Sequence, residues 1–228
     1  MSVNYMSNFD FTALKHYNQN GAILPQPDQY VGELIVKDNN EMIFNQAPRD
    51  SIDYINESFR FTSSNIYHRN NILVILESPH RFEYDASKKP IALIMGKTGW
   101  QFFDQFSKAL SQSKMHINSG QYNVILANAV QYQTSCGLNP LNRELRDLNW
   151  LDIYYNYQGE KDLKQRIFAI KPRYTINCCT GGKNPNALRS KVTESLIQFG
   201  LKKGKHFTEG NHPASWFYSN ESNKKLIE

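Results

Sequence analysis

Short, unbroken apolar runs alternate along the second two-thirds of the chain with segments of helical spacing. Ile72–Leu76 (ILVIL) is β-branched and leucine throughout, and Asn123–Val130 (NVILANAV) has the same character. Runs without alternation mark strands covered on both faces. Between them, TGWQFFDQFSKAL places Trp100, Phe103, Phe106 and Leu110 at helical spacing, with Thr98 available as the cap. KDLKQRIFAI aligns Leu163, Ile167 and Ile170 and stops at Pro172. RYTINCC is a third strand. NALRSKVTESLIQFG then aligns Leu188, Val192, Leu196 and Phe199, with Gly200 just past the helix end. A short strand near 205–208 follows.

Buried strands alternating with amphipathic helices predict an α/β fold. The expected architecture is a three-layer α/β/α domain over residues 66–228, with a central, mainly parallel sheet of about four strands. Residues 1–65 mix short apolar pieces with Asn, Gln, Asp and two prolines, and read as an N-terminal extension packed on that domain.

In parallel sheets, ligands bind beyond the carboxyl ends of the strands. The residues there are polar at all four ends. Glu77-Ser78-Pro79-His80 follows the first strand, with Glu83 and Asp85 close behind. Asn128 ends the second. Thr180-Gly181-Gly182-Lys183 follows the third, and Asn211-His212-Pro213-Ala214-Ser215 follows the last.

Composition narrows the partners. The longest apolar run is too short to span a bilayer, and the amino terminus lacks the pattern of a signal peptide. Three cysteines, two of them adjacent, form no disulfide framework, so a reduced, cytoplasmic protein is expected. Charge is uneven: residues 1–60 carry eight acidic and four basic side chains, whereas 161–206 carry eleven basic and two acidic. Such a basic segment suits a polyanion such as DNA, or is simply a solvated face.

Two motifs fail on inspection. MGKTG lacks the first glycine of a phosphate loop, which would fall on Ile91. Cys178 and Cys179 sit in an apolar strand, where thiols are usually inert. No residue spacing suits a metal site.

The order of motifs resembles the uracil-DNA glycosylase superfamily. The segments carrying the resemblance are LESPH (76–80), GKTGWQF (96–102), VILANAV (124–130), IKPRYTINCCTGG (170–182) and NHPAS (211–215). ESPHRFEYD looks most like the E-A-P-G-x-x-E-D version found in iron–sulfur glycosylases, but the cysteine set for a cluster is missing. The resemblance implies a monomeric DNA glycosylase needing no metal or cofactor. His212 would stabilise the departing base, and Asn128, His80 and Pro79 would shape the base pocket. Gly181, Gly182, Lys183 and Ser215 would hold DNA, and Trp216 would be the wedge that fills the gap left by a flipped base.

The sequence departs from the pattern at Leu76, at His80, at Ala214 and above all at Ser78, which stands where the water-activating aspartate is found. A serine is no ionised base, so Glu77, Glu83 or Asp85 would have to supply the carboxylate. Two alternatives stay open: a catalytically weak or inactive DNA- or nucleotide-binding protein of the same fold, and an unrelated α/β hydrolase using Cys179 with a histidine.

Overall fold

The computed structural model describes residues 24–47, 70–113, 115–134, 143–181, 187–216 and 227. The runs read as buried strands are strands. β1 (Gln29–Val36) and β2 (Met42–Gln46) form a hairpin. β3 (Asn70–Leu76), β4 (Gly120–Asn128), β5 (Tyr174–Asn177) and β6 (Phe207–Glu209) follow, and the sheet order is β2-β1-β4-β3-β5-β6. β3 pairs in parallel with both β4 and β5, and β5 with β6, whereas β1 runs antiparallel to β4.

The expectation of about four mainly parallel strands is therefore corrected to a mixed sheet of six. The two additional strands come from the segment read as an extension. Residues 29–46 belong to the sheet, because β1 covers the free edge of β4 over seven paired positions. A bulge between Tyr30 and Gly32 interrupts the alternation of β1 and hides its strand signature in the sequence.

Helices cover both faces. α1 (Lys97–Ser111) buries Phe102, Phe106, Ala109 and Leu110 against one face, with Leu34, Val74, Val124 and Leu126. The stripe read from the sequence is thus rotated: Phe102 is core, Phe103 is only half-buried and Trp100 is exposed. Nor does Thr98 cap α1; Gly96 holds the N-cap position with φ 75°, and no side chain caps the helix. On the other face lie α2 (Arg143–Leu151), α3 (Gly159–Ile170) and α4 (Leu188–Gln198), whose Leu163, Ile167, Leu188, Val192 and Leu196 pack on Leu73, Ile75 and Ile125. Gly200 follows α4 with φ 90°, as a glycine just past a helix end should.

β4 flanks β3 on one side and β5 flanks it on the other. The connections out of β3 and β5 therefore part in opposite directions, opening a crevice at their carboxyl ends. This is where doubly wound folds bind ligands.

Candidate active site at the strand ends

Glu77, the first residue beyond β3, is the centre of this crevice. Its backbone oxygen accepts from Trp150 Nε1 at 2.7 Å and from the Val130 amide at 3.0 Å, which fixes the strand end. Its carboxylate accepts from the Thr180 amide, 3.3 Å from Oε2, just beyond β5. Arg146 Nη1, on α2, lies 3.8 Å from Oε1. His212 Nε2, beyond β6, lies 3.6 Å from Oε2.

The loop carrying His212 is tied down at every turn. The Ala214 amide donates to His212 Nδ1 at 3.3 Å, so in the neutral ring the proton resides on Nε2, the nitrogen that faces Glu77. Ser215 Oγ donates to the His212 carbonyl at 2.8 Å, and the Trp216 indole donates to the Asn211 carbonyl at 2.7 Å. Trp216 stacks on Phe102 of α1, ring centroids 5.8 Å apart. Gln101, with its amide nitrogen turned toward the loop, donates to the carbonyls of Pro213 and Ala214 at 3.0 and 2.6 Å. Gly210, just before the loop, admits no side chain: a Cβ would stand 2.8 Å from Cys178 Sγ.

Arg146 and Asp147 escaped sequence reading, because α2 is short and polar. Arg146 binds Asp147 Oδ1 through Nε at 2.7 Å and reaches Thr180 Oγ1 at 3.4 Å. Burial pushes the Asp147 carboxyl up, and Arg146 pulls it back. The result is a mixed cluster: two carboxyl groups, an imidazole and a guanidinium sharing one crevice.

The other expected residues divide. Ser78 shares a hydrogen bond with Thr134, 2.8 Å between hydroxyls. Pro79 is buried, and His80 is exposed with its ring 4.9 Å from Phe82. Desolvation by the protein atoms packed against one side of the ring, then the charge of Arg81, lowers the His80 imidazole below its ordinary value. Asn128 is buried at the end of β4, and no group among the described residues bonds to either of its amide atoms. Its carbonyl accepts from the buried Arg166 at 2.9 Å. Gly181 is exposed, and a Cβ added there would meet nothing within 4 Å among the described residues. Gly182 and Lys183 lie outside the described residues.

Three readings change. Trp216 is fully buried and part of the core, so it presents no wedge; stacking on Phe102 and the bond to Asn211 hold it inside. Glu83 is buried and binds the Ile94 amide at 2.9 Å, and burial pushes its carboxyl up to about 8. It therefore cannot supply an ionised base near neutral pH, whereas Asp85 is exposed and binds the Lys89 amide at 2.8 Å. Cys179 is fully buried and burial raises its thiol well above the ordinary range, which removes the nucleophile of a thiol hydrolase.

Among the described residues no cluster of three or more His, Cys, Asp or Glu side chains could hold a metal, and no helix is long and apolar enough to cross a membrane. An open depression of about 650 Å³, lined by Ile35–Asn39 and Ser119–Gln121, lies at the opposite end of the sheet, away from these groups. No family model matches the chain, and no curated protein or solved structure matches it significantly. The functional reading therefore rests on the chemistry of the crevice.

Proposed function

We propose that the protein is a monomeric, cytoplasmic DNA glycosylase of the uracil-DNA glycosylase type, hydrolysing the N-glycosidic bond of uracil or another deaminated or modified base without metal or cofactor. The observation that supports it best is the pairing of His212 Nε2 with Glu77 Oε2 at 3.6 Å, where the strands diverge.

Breaking the bond leaves positive charge on the sugar and sends the electron pair to the base. A donor aimed at the base oxygen stabilises that anion, and His212 Nε2–H is such a donor once a flipped base enters. Glu77 stands next to the position that Ser78 leaves without a carboxylate. It would orient the water that adds to the sugar carbon, take up the proton released and offset the sugar's positive charge. Asn128, with both amide atoms unpartnered among the described residues, has the groups to read a base edge.

A second reading, a nucleic-acid- or nucleotide-binding protein without catalysis, is favoured by two hydrogen bonds. The Ser78 hydroxyl is engaged by Thr134, and the Glu77 carboxylate already accepts from Thr180. Incubation with single-stranded and duplex oligonucleotides bearing uracil, hypoxanthine, xanthine or hydroxymethyluracil, followed by alkali, separates the two. Strand breaks that disappear in His212→Ala support the glycosylase. Binding without abasic sites on any substrate selects the second reading.

A further inference from the structure

With Trp216 inside the core, the crevice needs another group to engage bases next to the one being read. Four of the nine exposed large apolar side chains among the described residues fall within residues 82–100: Phe82, Ile91, Met95 and Trp100. Scattered single apolar side chains are ordinary on a surface, but a concentration beside a site is not. Trp100 and Phe82 are the most exposed of the nine, at 67% and 57%.

Both rings are borne by segments next to the site in the chain. Phe82 lies five residues beyond Glu77, in a short 3-10 turn (Arg81–Glu83) held by the Glu83 amide donating to the His80 carbonyl at 2.9 Å. Trp100 directly precedes Gln101, which grips the His212 loop. The two flank one segment: the Ile91 amide donates to the Glu83 carbonyl at 2.8 Å, the Ile94 amide binds the Glu83 carboxyl, and Gly99 packs directly on Ile94. The same stretch carries Arg81, Lys88, Lys89 and Lys97 against the exposed Asp85 and the buried Glu83. Arg81 lies over the Phe82 ring, 4.8 Å from its centroid.

We propose that Phe82 and Trp100 form a base-stacking platform for single-stranded nucleic acid at the rim of the crevice, with Arg81 and Lys97 placed for its phosphates. The proposal rests on the nucleic-acid reading of the site but not on catalysis. Exposed rings interleaved with cations are how sequence-tolerant single-strand binders work: each base offers a face to a ring, and the backbone meets positive charge. Duplex DNA keeps its bases stacked on one another and satisfies only the charges. An apolar protein partner would cover the rings but would not match the surplus of basic residues in this stretch.

The test uses the full chain and a labelled oligothymidylate of about 15 nucleotides, a length in the range that such sites cover. Trp150 and Trp216 are fully buried, so quenching of Trp100 emission on binding reports stacking directly. Phe82→Ala and Trp100→Ala should each weaken binding about 5-fold or more, the low end of a lost base–aromatic stack. Trp100→Phe should keep most of the affinity and lose the quenching. Circular dichroism should show all three variants folded, since the rings are exposed. Equal affinity for a duplex of the same length, equal competition by polyphosphate at matched charge, or unchanged affinity in both alanine variants would overturn the platform. Quenched, ring-dependent binding without base release from any substrate would uphold it while overturning the glycosylase. Base release undiminished in both alanine variants, with affinity also unchanged, would do the reverse.

Discussion

His212 and Glu77 meet across the ends of β6 and β3, Nε2 3.6 Å from Oε2, although 135 residues separate them in the chain. Each accepts from a backbone amide, the histidine from Ala214 in its own loop and the glutamate from Thr180 beyond β5. If they act as one unit in base release, His212→Ala should lower the single-turnover rate about 100-fold or more, the usual loss for a donor to a developing anion. Glu77→Gln should do comparable damage. The double variant should be little worse than either, because residues acting as a unit are not additive. Additive losses would separate their roles.

Glu83 sets a pH dependence of stability. Its carboxyl titrates near 4.5 when unfolded and is pushed up to about 8 by burial in the native state. Between those values the folded protein holds a proton that the unfolded chain has released. Its contribution is therefore full below about pH 4.5 and is lost progressively as the pH rises, levelling off above about pH 8. Glu83→Gln keeps an oxygen for the Ile94 amide and cannot ionise. Urea midpoints measured at about pH 5 and about pH 8.5 should show the wild type losing stability relative to the variant as pH rises. A constant difference between the two proteins would refute the shift.

The parallel half of the sheet was legible because Ile72–Leu76 and Asn123–Val130 are apolar at consecutive positions, which strands buried on both faces require. Glu77, which ends the first of those runs, was legible for the same reason, whereas His212 stood out only as the histidine of the Asn211–Ser215 loop after a short strand. β1 was not: its bulge at Gly32 breaks the period of two, and Gln29 is buried there through a bond from the Leu93 amide rather than through apolarity. Arg146 was hidden because a polar residue on a short helix carries no mark of which face it shows. Trp216 was misplaced for a related reason. Sequence shows an aromatic after a histidine loop, but only the position of Phe102 decides whether it points inward.

Arg166 couples the hairpin to the site. It is buried, binds Asp28 and Asp162 at 2.7 Å each, and donates to the carbonyls of Asn128 and Ala129. Asp28 also accepts from Gln131 at 3.1 Å. Removing one partner of a buried pair strands the other, at a cost of about 3–5 kcal/mol. Arg166→Met should therefore lower the melting temperature by about 10 °C for a chain of this size. Asp28→Asn in the same background should cost less than it does alone, since the buried charge it would otherwise leave with Asp162 as its sole carboxylate partner is gone. Calorimetry of the four proteins checks the cycle, and equal costs in both backgrounds would show that the pair is uncoupled.

Gly99 is required by space, not by backbone angle. A Cβ there would lie 2.0 Å from the Ile94 carbonyl oxygen. Ile94 cannot retreat cheaply: its amide is bound by Glu83, its side chain is buried, and its φ is already 49°. Gly99→Ala must move the start of α1 or the segment before it, at a cost of about 2 kcal/mol or more, as overpacking of a closed core does. Since α1 carries Gln101, base release should fall along with stability. Gly181→Ala is the matching control for stability, because nothing among the described residues lies within 4 Å of its added methyl group and the residue is exposed. Its effect on the unfolding free energy, measured by urea titration, should stay within about 0.5 kcal/mol, the usual span for a surface change. A Gly99→Ala protein as stable as the Gly181→Ala protein would mean that the loop yields, and that the contact between residues 94 and 99 does not hold α1 in place.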